Sequence, residues 1–161
     1  MTLFHPLFPR RQPDTSPSDS RVLNWAKNTT LAQASAVITP ETEAQLQEAI
    51  VRCRGKIRIM GSRMSPGRML VVSNPDDVLV DLSRLRGLLA VDDDSATFAG
   101  GTPLHEVYET LTAMNRMLNA SPGVIASQTL AGAISTGTHG QGLQQSAIAD
   151  EALNIRFVDG T

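Results

Sequence analysis

Apolar positions along this chain recur with a period near two in some stretches and near 3.6 in others, and the switches between the two mark out its elements. Ala36-Val37-Ile38 is a short strand ending at Thr39-Pro40, where threonine can cap a helix and proline suits the first turn. The predicted helix covers 41–54. Ala44, Ala49, Ile50 and Cys53 return at helical spacing, basic residues crowd its last turn, and Gly55 stands as the stop. Lys56-Ile57-Arg58-Ile59-Met60 alternates and is β-branched, which predicts a strand over 56–60 and so a β-α-β unit. After a loop at 61–67, the apolar run 78–82 predicts a third strand. Segments 88–91 and 96–99, joined across Asp92-Asp93-Asp94-Ser95, predict a hairpin, and Gly100-Gly101-Thr102-Pro103 launches a helix to about Met114. A closing strand is expected over 153–158. No internal repeat is visible, and this mixture of strands and helices predicts the α+β class.

The end of that pattern carries its own expectation. A strand followed by Asp159-Gly160-Thr161 is a hairpin signal whose second arm would only begin at Thr161. The fold is therefore expected to be incomplete at its C-terminus, as the front part of a longer architecture or with a partner chain completing it.

Composition narrows the function classes. At 161 residues, 41% hydrophobic and 19% charged, the chain has material for one compact domain with a core, but not for two. A net charge of −2 argues neither for nucleic acid nor for a membrane surface as partner, and no apolar run approaches the length of a membrane span. Cys53 is the only cysteine, which rules out an internal disulfide and a thiolate metal cluster; with His5, His105 and His139 widely spaced, no metal site is predicted. Residues 1–20 hold four of the nine prolines and read as a flexible N-terminal arm, leaving 21–161 as the folded part. No apolar stretch follows Arg10-Arg11 as a secretory signal would require, so a soluble, cytoplasmic protein is expected.

The chemistry concentrates in two places. Residues 121–142, SPGVIASQTLAGAISTGTHGQG, carry almost no charge, five of the twelve glycines and repeated Ser and Thr. Backbone stripped of side chains in this way can approach a ligand closely, and short hydroxyls add donors; a glycine-rich turn followed by a tightly packed small-residue helix fits the same composition equally well. The second place is Gly61-Ser62-Arg63-Met64-Ser65-Pro66. It follows a strand, so its amides can converge as a nest for an anion, with Gly61 free to take unusual dihedrals. Arg52, Arg54, Lys56, Arg58, Arg63 and Arg68 surround it with no acidic residue between Glu48 and Asp76. Most of these are expected to be a solvated face; Arg63 is the one expected to serve a ligand. Neither G-x-x-x-x-G-K-[ST] nor G-x-G-x-x-G is present, so two separated cradling segments, 61–66 and 121–142, remain as the way to grip a dinucleotide.

Asn24-Trp25, GSRMSP at 61–66 and IASQTLAGAISTGTHG at 125–140 together resemble the FAD-binding (PCMH-type) domain of the vanillyl-alcohol oxidase superfamily, most closely its aldonolactone and alditol oxidases. The resemblance covers about 24–161. It implies a two-subdomain fold, the first over about 30–85 and the second over about 86–161, with FAD as cofactor. By position it assigns the diphosphate to Gly61, Ser62, Arg63, Met64 and Ser65, and the rest of the cofactor to Gly123, Gln128, Thr129, Gly132, Thr136, Gly137 and Thr138, with His139 positioning it. Many members carry a histidine where Met64 stands and bond it to the flavin; methionine cannot form that bond, so FAD is expected to be non-covalent.

The activity so implied is removal of a hydride from a CH–OH carbon of a sugar-acid lactone or polyol onto the flavin N5, the protein supplying binding and orientation. In relatives the substrate-binding and catalytic groups come largely from a following domain, so no catalytic residue is named. Two other readings stand beside it: a catalytically incomplete fragment that needs a separate cap, and a nonredox module for another diphosphate ligand. His139 is expected to hydrogen-bond local backbone rather than act as a base, and His105 to be exposed in the first turn of a helix. Cys53, Met114, Met117 and Leu118 are expected to be packing residues, and Trp25 to anchor the arm rather than stack on the cofactor.

Overall fold

The computed structural model describes residues 20–66, 68–123 and 125–160, so the arm over 1–19 lies outside the described residues. It opens with an antiparallel pair absent from the sequence expectations, β1 (Arg21–Leu23) and β2 (Thr30–Gln33), in the register Arg21↔Gln33 and Val22↔Ala32, with an irregularity before Leu23↔Thr30. Both strands are too short for alternation to register as a pattern.

A three-stranded parallel sheet follows, built from β3 (Val37–Ile38), β4 (Ile57–Met60) and β5 (Val78–Asp81) in the order β3-β5-β4. The expected β-α-β unit is present, with β5 inserted between β3 and β4 and parallel to both. Buried on both sides, the central strand needs an unbroken apolar run, and Leu79 and Val80 are fully buried. Ala36 belongs to a 3-10 turn rather than to the strand.

The helix α1 (Glu43–Arg52) is shorter than the 41–54 expected. Thr42, not Thr39, is its cap: the Thr42 hydroxyl accepts from the Gln45 amide at 3.2 Å, and the Gln45 side chain reaches back to the Glu41 amide at 2.7 Å. Pro40 is instead buried ahead of the helix. Cys53 is the C-cap, half-buried. Gly55 is required for close approach, since a Cβ there would lie 2.7 Å from the Asp77 amide nitrogen and against the Asp76 carbonyl. Asp77 is buried and ties this corner together, accepting from the Lys56 amide at 2.8 Å and from the Asn74 side chain at 3.1 Å. The Lys56 amide holds its carboxyl below the ordinary carboxylate range, against the opposing push of burial.

The expected hairpin is present as β6 (Leu88–Val91) and β7 (Ala96–Phe98), antiparallel, turning through Asp92–Ser95 with the Asp92 amide donating to the Ser95 carbonyl at 2.9 Å. Helix α2 (Leu104–Ala113) begins after Pro103, and a six-residue helix α3 (Leu130–Ser135) occupies the middle of the small-residue segment. The closing strand expected over 153–158 is not formed. Among the described residues that segment has no ladder partner, and Leu153, Ile155 and Phe157 are exposed. Alternating apolar residues encode a strand only where another strand offers its edge.

Two apolar clusters hold these pieces. One joins Leu31, Ala32, Met60 and Leu79, so that the β1-β2 pair packs on the parallel sheet; the Val72 amide adds a 2.9 Å bond to the Leu31 carbonyl. The other joins Leu104, Ala120, Ala133 and Ile148, packing α2 against α3. Tyr108 lies beside this second cluster and donates to the Ala120 carbonyl at 2.9 Å; burial, then the charge of Glu151, raises its pKa above the ordinary tyrosine value. Of the residues expected to be packing material, Met117 is corrected: it is exposed, while Met114 and Leu118 are half-buried.

Candidate functional site

Strand β4 delivers loop 61–66 at its C-terminal end, and the turn before α3 delivers 125–129; the two segments meet there. Gly61 packs against Thr129, with the position of a Cβ 3.0 Å from Thr129 Cγ2, and the Ser62 hydroxyl donates to the Ser127 carbonyl. Thr129 caps α3, its hydroxyl accepting from the Gly132 amide at 3.3 Å, and the Leu130 and Ala131 amides donate to the Thr102 and Gly100 carbonyls at 2.8 and 2.9 Å. The turn that presents Thr129 to Gly61 is therefore held from the α2 side.

The loop's unusual dihedral is not at Gly61. Arg63 has φ +62°, a left-handed conformation uncommon for a residue with a Cβ. Its carbonyl accepts from the Trp25 amide at 3.0 Å, and its guanidinium donates to the Leu23 carbonyl at 3.4 Å, so the turn between β1 and β2 holds it in place. That turn is organised by Asn24, whose side-chain oxygen accepts from the Asn28 and Thr29 amides at 3.0 and 3.1 Å. Between turn and loop lies a surface cavity of about 300 Å³ lined by Asn24, Trp25, Thr29, Arg63, Met64 and Ser65, among others.

Within the small-residue segment, Gln128 accepts from the Thr138 hydroxyl at 2.7 Å, Thr136 donates to the Gly132 carbonyl at 2.9 Å, and the Thr136 and Thr138 hydroxyls stand 3.3 Å apart. Gly123 and Gly137 have φ of +67° and +61°, and the position of a Cβ at either meets nothing within 4 Å. These two expose bare backbone to open space, as a cradle for a guest requires. Gly61, Gly132 and Gly140 do not: a Cβ at each would press on Thr129, Thr129 and Ser121 respectively, so internal packing accounts for their lack of a side chain. A packed small-residue helix lies within this segment, and open glycines stand on either side of that helix.

The structure thus joins Gly61 and Ser62 to Ser127 and Thr129, and links Gln128, Gly132, Thr136 and Thr138 through hydrogen bonds. Arg63, Met64 and Ser65 line a different space, the cavity shared with the β1-β2 turn, and none of the described residues of 121–142 lines it. His139 is exposed, with Nδ1 2.9 Å from the Gly140 carbonyl, as expected of a residue fixing its local turn. His105 is exposed in the first turn of α2, its Nδ1 3.2 Å from the Ala126 carbonyl. Trp25 is 68% exposed on the cavity rim, and the arm it is expected to anchor lies outside the described residues. The cavity-lining Asn28 and Thr29 were missed by sequence reasoning, although the N-W-A-K-N-T run carries an Asx-turn signal.

Comparisons with known proteins extend the geometry. A family model described as FAD binding domain matches residues 34–161. Among curated relatives, the chain is 32% identical to D-arabinono-1,4-lactone oxidase of Eremothecium gossypii over 147 residues, covering 85% of this chain and 26% of the relative. It is 37% identical over 138 residues to a long-chain alcohol oxidase of an uncultured marine euryarchaeote, covering 83% and 27%, and 29% identical over 140 residues to L-gulono-1,4-lactone dehydrogenase of Mycobacterium tuberculosis, covering 84% and 32%. The chain spans about a quarter to a third of the length of these relatives. Solved structures of similar fold include alkyldihydroxyacetonephosphate synthase, with a TM-score of 0.67 at 23% identity over 76% of this chain and 25% of that one. A variant of cholesterol oxidase from Brevibacterium sterolicum gives 0.63 at 22% over 84% and 28%. With the family match running through both segments that meet at Gly61 and Thr129, the chain belongs to the FAD binding domain family, and FAD is its cofactor.

Proposed function

We propose that this chain is the FAD-binding module of an oxidoreductase acting on the CH–OH group of a sugar-acid lactone or polyol, with the FAD held non-covalently. The observation that carries the reading is the junction of loop 61–66 with 125–129 at Gly61–Thr129 and Ser62–Ser127, which brings together the two side-chain-poor segments that the motifs assign to the cofactor. The open, left-handed Gly123 and Gly137 supply bare backbone within the second segment. Gly61, Ser62, Arg63, Met64 and Ser65 are the proposed diphosphate side of the site. Gly123, Gln128, Thr129, Gly132, Thr136, Gly137 and Thr138 are the proposed remainder, with His139 fixing their turn; Gly61 acts by letting the two segments pack and Gly132 by leaving room for the Thr129 cap, not by facing the ligand. Bound FAD would supply the two-electron chemistry, while these residues bind it and fix its orientation.

The lactone substrate class is supported by the names of the arabinonolactone and gulonolactone relatives, and the name of the long-chain alcohol oxidase supports the CH–OH group more broadly. The test is reconstitution. Protein incubated with FAD and freed of excess should be yellow, and anaerobic addition of aldonolactones, polyols or long-chain alcohols should bleach it. Protein that stays colourless removes the reading.

A second reading is favoured by the exposure of Leu153, Ile155 and Phe157, an apolar alternation without a partner strand among the described residues. In it the chain binds FAD but turns over no substrate until a cap domain or partner chain is supplied. Yellow protein that none of these substrates bleaches, and that bleaches once a relative's cap domain is added, selects that reading.

A further inference from the structure

The single tryptophan of the chain is placed where the packing does not need it. A tryptophan can bury on the order of 150–250 Å² and dominates a core when it enters one. Trp25 is instead 68% exposed, in a chain with only 4% aromatic residues. It sits on the turn that joins the N-terminal pair. The Asn24 amide donates to the Thr29 carbonyl at 2.9 Å, the Lys27 amide to the Asn24 carbonyl at 2.9 Å, and the Asn24 side chain bonds Asn28 and Thr29 at 2.8 to 3.1 Å. The Trp25 amide is in turn fixed to the carbonyl of Arg63, the one left-handed residue of loop 61–66. Hydrogen bonds thus fix backbone, turn and loop around a ring that is left mostly exposed.

Trp25 lines the cavity of about 300 Å³ together with Arg63, Met64 and Ser65. This slot gathers an aromatic ring, a polarizable thioether, a guanidinium and the polar groups of Asn24 and Thr29. Flat, electron-poor heteroaromatic rings suit such surroundings, since stacking on an aromatic face needs no exact hydrogen-bond match.

We propose that Trp25 is a cofactor-contacting residue, stacking on a planar ring of the bound dinucleotide inserted between the β1-β2 turn and loop 61–66. The proposal rests on the FAD reading above and adds a residue and a subsite outside the two motif segments. It also assigns the Asn24 network a task, which is to hold that ring in place before the ligand arrives, so that little ordering is left to oppose binding. Both ends of FAD carry a flat heteroaromatic ring, and the slot takes one of them.

Because the chain has no other tryptophan, its emission reports on this position alone. In the full chain, acrylamide should quench Trp25 strongly without ligand, and the emission that remains after saturation with FAD should be shielded from acrylamide. Repeating the measurement with FMN and with ADP identifies the ring: shielding by FMN alone places the isoalloxazine in the slot, shielding by ADP alone places the adenine. Trp25→Leu should weaken FAD binding, followed by flavin fluorescence, about tenfold, and Trp25→Phe should restore most of it. Unchanged acrylamide access in FAD-saturated wild-type protein, or Trp25→Leu protein that binds FAD like wild type, overturns the stacking role while leaving the FAD reading intact. Wild-type protein that binds no FAD overturns both.

Discussion

Gly61 and Thr129 lie so close that a Cβ on Gly61 would sit 3.0 Å from Thr129 Cγ2 and nearer still to its hydroxyl. This contact joins the end of a strand in the parallel sheet to the cap of a helix in the other apolar cluster, far along the chain. Two elements that share no core are thereby held at a fixed spacing, and everything proposed about the cofactor depends on that spacing.

Gly61→Ala should therefore cost about 1–3 kcal/mol, the usual penalty for a methyl forced into packed space. Thr129→Ala should cost about 1 kcal/mol through loss of the α3 cap. Since the Thr129→Ala variant lacks both the hydroxyl and Cγ2, adding Gly61→Ala to it should cost less than it does in wild type. Urea denaturation of the four proteins measures this coupling, and strictly additive values would show that the two residues do not touch in solution.

Asp77 predicts a pH dependence. Its folded pKa is depressed, chiefly by the Lys56 amide, so it favours the folded state at pH values above its unfolded pKa near 4, and this contribution is lost as pH falls through the lower folded value. Asp77→Asn removes the titration. The stability difference between wild type and variant should hold steady from about pH 7 to 5 and shrink below about pH 4; a difference that grows on acidification contradicts the assignment.

How far the chain itself disclosed this arrangement varied with the kind of signal. The 88–99 hairpin and the helix after Pro103 were legible because a turn-rich tetrapeptide and a proline punctuate strong apolar patterns. The start of α1 was misread because Thr39 and Thr42 are both capable caps; Gln45, three residues after Thr42, is the local signal that favours the latter. β1 and β2 are too short to show a period. The strand expected over 153–158 is a clearer lesson: Leu153, Ile155 and Phe157 alternate faithfully, but pairing is a property of two segments. In the site, the motifs found both segments, yet assigned the strained dihedral to Gly61 when it belongs to Arg63. Glycine signals permission, and the Trp25 amide that holds Arg63 comes from a distant part of the chain.

That strain separates folding from binding at one position. Arg63→Gly relieves a left-handed backbone, worth about 1 kcal/mol, while deleting the cation proposed to face the cofactor diphosphate. The variant should melt at or above the wild-type temperature and bind FAD more weakly, with a smaller dependence of affinity on salt. Calorimetry paired with FAD titrations at two ionic strengths checks this. Equal salt dependence in the two proteins would remove Arg63 from the binding site, and a lower melting temperature would mean that its bond to the Leu23 carbonyl outweighs the strain.

The proposed non-covalent retention of FAD turns on Met64. A thioether flanked by Arg63 and Ser65 offers no ring nitrogen to form the histidine-type bond to a flavin, so retention through reversible contacts is the expected outcome. Acid precipitation of reconstituted protein should release all of the flavin to the supernatant. Colour in the pellet would reveal a covalent bond to some other residue. Reversible binding to the folded state alone also makes stability follow free ligand, by RT ln(1 + [L]/Kd), or about 2.7 kcal/mol at a hundredfold excess over Kd. The melting temperature should thus climb steadily with added FAD, whereas a covalently loaded protein would melt at one temperature whatever the FAD concentration.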